Sequence, residues 1–118
     1  MSDFPKISTA IPKKRYQLGE YSVTLLGEVE TPDFPGYFFI MAFLPEGKTE
    51  PVLYICSEKT PPNQRHDGVA RLKVINSAMS EIMDTSDNWK NLDNFAAEAI
   101  SIGAELLGMQ SEQVVPLM

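Results

Sequence analysis

Residues 37–44, YFFIMAFL, are apolar at every position. A strand with one wet face alternates apolar and polar side chains, and an amphipathic helix spaces its apolar ones by three and four. This run does neither. Its length and aromatic content fit a strand buried on both faces. A sheet built around such a strand needs cover on both sides, because a wide exposed apolar face is not stable in water.

The flanking segments read as its partners. Tyr21, Val23, Leu25 and Val29 alternate with Ser22, Thr24, Glu28 and Glu30, the period of a half-buried strand. Leu26 breaks that alternation beside Gly27, which predicts a bulge. TPDFPG at 31–36 is a Pro-Gly connector, and PEGKTE at 45–50 has the composition of a hairpin loop. PVLYICSEK at 51–59 is a third strand, with Pro51 at its start, where a missing N–H does no harm. The three runs predict an antiparallel meander.

Residues 69–83 allow two readings. As a helix, Val69, Leu72, Ile75, Met79, Ile82 and Met83 share one face. As a strand pair, VARLKVIN and SEIMDT meet near Asn76 and Ser77, and Val74 fits this reading only. The run AMSEIM favours the helix. Residues 91–108 repeat their apolar positions at three, four and seven, with Asn91 as N-cap and Gly108 to end the helix. The fold class expected is α+β. It is a two-layer antiparallel sheet of three or more strands (a β-meander), followed by one or two C-terminal helices packed on the sheet. The domain plan is an N-terminal arm at 1–15, one α+β domain at 16–108, and a C-terminal tail at 109–118.

Charge narrows the partners. The net charge is −6, which opposes nucleic-acid phosphates and anionic membrane surfaces alike. Neither nucleic acid nor membrane is expected as a partner. Residues 1–15 nevertheless carry Lys6, Lys13, Lys14 and Arg15 against Asp3, while residues 91–118 carry Asp93, Glu98, Glu105 and Glu112 without a lysine or arginine. The basic arm and the acidic helix can meet, within one chain or between two. Cys56 is the single cysteine, and MSDFPKISTA has no apolar signal core. A reducing, cytoplasmic setting is the expectation.

Candidate chemistry is sparse. One His and one Cys cannot build a zinc cage, DTSDN at 84–88 lacks the glycine and glutamate of a calcium loop, and no phosphate-cradling glycine motif is present. No metal or cofactor is expected. His66, between Arg65 and Asp67 in the polar loop TPPNQRHDG at 60–68, has the neighbours of a proton-transfer group but no evident nucleophile. Cys56 sits inside a strand and reads as a core residue. Trp89, the single tryptophan, either staples the last helix to the core or anchors a partner. Ala97, Ser101, Ala104 and Gly108 give that helix a second face of small residues, which suggests cover on two sides.

Two functions follow as expectations. The first is a small intracellular protein-interaction or chaperone-like module, expected as a homodimer, that uses an apolar sheet face or its acidic helix. The second is a small-molecule-binding or enzymatic domain with its site at the 60–68 loop. The candidate contact residues are Arg65, His66, Asp67 and Trp89. The balance of the residues is against an enzyme.

Overall fold

A computed structural model describes residues 4–32, 34 and 36–117. Asp3 of the arm, and Asp33 and Pro35 of the connector, lie outside the described residues. The described chain forms a seven-stranded antiparallel sheet followed by one α-helix, an α+β fold as the sequence predicts. The strands are β1 (Thr9–Leu18), β2 (Tyr21–Glu30), β3 (Tyr37–Pro45), β4 (Leu53–Lys59), β5 (Ala70–Asn76), β6 (Ser80–Thr85) and β7 (Val114–Pro116). Their order in the sheet is β6-β5-β4-β3-β2-β1-β7, a meander whose last short strand returns to the edge of β1. β1 begins within the stretch read as an arm, and β7 lies within the stretch read as a tail.

The apolar run at 37–44 becomes β3, near the middle of the sheet, and its neighbours show why it needs no polar face. Leu25, Met41, Ile55 and Val74 form one row across four strands, and none of them is exposed. One step along, Leu26, Ile40 and Cys56 form a row on the opposite face, and Ile40 and Cys56 are again fully buried. The helix α1 (Leu92–Leu106) covers the first face. Part of the second is covered by the chain's own start, where Phe4 and Ile7 pack on the cluster of Tyr37, Ile40, Cys56 and Ile75. The Phe4 ring stands 5.0 Å from that of Tyr54.

Residues 69–83 are strands, not the favoured helix. They supply β5 and most of β6, which pair antiparallel. Val74 and Ile75 are adjacent and both fully buried, on opposite faces. A helix buries one stripe, whereas a strand between two covered faces buries both. The turn is set by Asn76, whose side-chain oxygen accepts from the N–H groups of Ala78 and Met79, each at 2.8 Å. Such an Asx turn takes up backbone donors that a helix would use along its axis.

The bulge expected at Leu26–Gly27 falls in the pairing of β1 with β2. Register shifts occur opposite these residues, and Glu28 takes a positive φ of 47°. Lys13 closes the irregularity: its ammonium lies 2.7 Å from the Glu28 carboxylate and its stem lies against Gly27.

Helix α1 is bounded as its sequence reads. The Asn91 side chain accepts from the Asn94 N–H at 3.0 Å. At the other end Gly108 has φ +70°, and the N–H groups of Gly108 and Met109 bond back to Glu105 and Ala104. That pairing is a Schellman ending. The buried residues of the helix are Phe95, Ala96, Ala99, Gly103 and Ala104, the last of them from the face of small residues. The helix's small residues bring it close to the sheet, where Gly103 rests on the ring of Phe43.

Candidate functional site: the Trp89 cleft

The two loops singled out by sequence lie at the same end of the sheet. One holds a 3-10 turn at Pro62–Asp67 between β4 and β5, the other a 3-10 turn at Asp87–Lys90 between β6 and α1. They touch directly. The Val69 N–H donates to Asp87 at 2.8 Å, and Gly68 lies so close to the Ser86 backbone that a Cβ there would come within 2.6 Å. Gly68 also has φ +148°, a backbone conformation that side chains other than hydrogen rarely tolerate.

In the first loop Arg65 is exposed, and its Nε donates to the Thr60 carbonyl at 2.9 Å. His66 and Asp67 stand 3.5 Å apart, both well exposed. Cys56 lies fully buried among the second-face residues. Burial is the largest influence on its thiol and pushes its pKa up from the ordinary 9.0, with Lys73 lowering it and Glu58 raising it by smaller amounts. A thiol held protonated inside the sheet is no nucleophile for an imidazole on the surface.

The second loop is tied down by side-chain hydrogen bonds. Three bonds fix Trp89 and its turn. The buried Ser57 hydroxyl donates to the Trp89 carbonyl at 2.6 Å, and the indole N–H donates to Asp84 of β6 at 2.9 Å. The Ser86 hydroxyl caps the turn by accepting from the Asn88 N–H at 3.1 Å. Trp89 is half-buried and also packs against the main core, so it both staples the helix and presents a surface. Beside it Lys90 and Lys59 place their ammonium groups 5.9 and 5.3 Å from the centre of the Phe38 ring.

A cleft of about 450 Å³ opens here, lined by Asn88, Trp89, Asn94, Ala97 and Glu98. A second, of about 380 Å³, lies at the far end of the sheet between Phe4, the 48–52 loop and Ser77. Neither is lined by Arg65, His66 or Asp67. Sequence reasoning had Trp89 as a candidate and missed Asn94 and Glu98. Ala97 and Glu98 follow Asn94 by three and four positions, which places both beside it on one side of α1, directly after the tryptophan turn.

No family model, curated protein or solved structure matches the chain. The site is therefore read from its own chemistry.

Charge gives that chemistry a sign. Residues 1–79 hold nine acidic and nine basic side chains, so all of the net charge falls on residues 80–118, with seven carboxylates and Lys90 alone against them. This stretch is β6, the Trp89 turn, the helix and the tail. The basic and acidic segments also touch, with Lys14 of β1 4.0 Å from Asp93 at the start of α1. Among the described residues no group of three or more His, Cys, Asp or Glu is placed to hold a metal ion. No helix among them is long and apolar enough to cross a membrane.

Proposed function

We propose that this chain is a protein-interaction module that receives a basic segment of a partner protein on the side formed by β6, the Trp89 turn and helix α1. The observation that carries this reading is a half-exposed tryptophan, held by hydrogen bonds, in a cleft within the part of the chain that bears the whole net negative charge. Interface anchors are typically aromatic side chains held in place before binding. Acidic surroundings raise the rate and selectivity of encounter with a basic partner.

A partner of opposite charge fits this surface better than a second copy. A twofold contact brings the same patch of both subunits together. The outward side of α1 carries Asp93, Glu98 and Glu105 among its small residues, so a homodimer formed there would oppose like charges. Light scattering on a sizing column separates the two: a monomeric mass fits the basic-partner reading, and a dimer lost on Ala97→Arg favours self-association.

The direct test uses the single tryptophan as its own probe. A peptide of alternating glycine and arginine, titrated into the protein at low salt, is expected to change Trp89 emission saturably and to bind more weakly as salt is added. An emission unchanged by the peptide at every concentration removes the reading. The alternative, a small-molecule or enzymatic site at the 60–68 loop, draws no support from the exposed placement of His66 and Asp67.

A further inference from the structure

Resting on that reading, we infer that the Trp89 cleft is an anchor pocket for one arginine side chain of the partner, and that it discriminates arginine from lysine. The indole N–H is already taken by Asp84, so Trp89 offers an incoming group only its ring. Glu98 is the only charged residue among those lining the cleft. Asn88 and Asn94 add amide oxygens, and Ala97 in the lining leaves room where a longer side chain would fill the space. Lys90, the one cation of this segment, sits over Phe38.

This set of partners matches a guanidinium better than an ammonium. A guanidinium is planar and stacks on an aromatic ring while its edge donates several hydrogen bonds in a fixed fork. One carboxylate and two amide carbonyls can accept those bonds together. An ammonium is a compact, strongly hydrated charge with three donors, and stacking does little for it. An aspartate or phosphate would meet Glu98 as a like charge.

The experiment compares two peptides of equal length and charge, one alternating glycine with arginine and one alternating glycine with lysine, by calorimetry on the full chain. The arginine peptide is expected to bind about threefold more tightly or better, the size of an exposed cation–π contact. Glu98→Gln and Trp89→Leu are each expected to bring the two peptides to the same affinity. Glu105→Gln, the same loss of charge outside the cleft, is expected to weaken both peptides alike and keep the preference. Equal affinities for the unaltered protein, or a preference that survives Glu98→Gln, overturn the arginine pocket while leaving the acidic docking side in place. No binding of either peptide overturns both.

Discussion

The indole N–H of Trp89 donates to the carboxylate of Asp84 at 2.9 Å, which ties the turn before the helix to the edge strand β6. Asp84→Ala leaves the donor to water and frees one hold on the ring. We predict a loss of about 1 kcal/mol and a shift of Trp89 emission in the folded protein, both read from one urea titration followed by fluorescence. An emission spectrum identical to that of the parent would show that packing against the core alone fixes the indole.

Gly103 is the second informative position. Replacing a helical glycine by alanine normally stabilises by up to about 1 kcal/mol. Here the added methyl group would press into the Phe43 ring, which is itself fully buried. The overlap is expected to reverse the sign, with a net loss of about 1–3 kcal/mol. Ser101→Ala on the exposed side of the same helix is the control, expected to gain a few tenths of a kcal/mol. Chemical denaturation of both proteins decides it, and a Gly103→Ala protein as stable as the control would deny the close approach.

These positions show which parts of the fold the sequence reveals. The helix was legible because its cap residue, its apolar spacing and its closing glycine all agree, and each has a local cause. β3 was legible because no other element buries eight consecutive apolar residues so briefly. The pair β5–β6 was not, because Val69, Leu72, Ile75 and Met79 satisfy a helical stripe by themselves. What decides against the helix is tertiary: cover on both faces of the sheet rewards burial of Val74 and Ile75 together. Of the site, Trp89 stood out as a lone aromatic beside a helix start. Its hold on Asp84 and Ser57 joins residues five and 32 positions away, and no local pattern carries that.

Cys56 gives a pH prediction. Burial raises its pKa above 9.0, and burial likewise raises those of Tyr54 and Tyr16 above 10.0, with the charges of Cys56 and Glu50 adding at Tyr54 and that of Asp93 at Tyr16. For each group the folded state holds its proton more tightly than the unfolded chain. The stability linked to them is therefore fully present below pH 9 and is lost as pH rises above the unfolded values toward the folded ones. Urea midpoints measured from pH 7 to 11 are expected to fall above about pH 9. Cys56→Ala should make the first part of that decline shallower. A thiol reagent should label Cys56 only as the chain unfolds, and rapid labelling of the native protein at pH 8 would contradict its burial.

Glu58 is the sharpest test of how the second face holds together. It is 5% exposed, and its carboxylate takes Arg71 at 2.5 Å and Lys73 at 3.3 Å from the neighbouring strand. The Arg71 Nε is buried without a partner of its own, so this guanidinium depends on Glu58. Removing one member of a buried ion pair strands the other, which typically costs about 3–5 kcal/mol. Removing both members in favour of apolar side chains of similar size takes the charge and its desolvation away together. Glu58→Met is therefore expected to lose about 3 kcal/mol, and Glu58→Met with Arg71→Met to recover a substantial part of that loss, although Lys73 still faces the site. Denaturation of the two single variants and the double completes a cycle that isolates the coupling. Losses that simply add would mean that the two side chains contribute separately, Arg71 through the packing of its stem and Glu58 through Lys73.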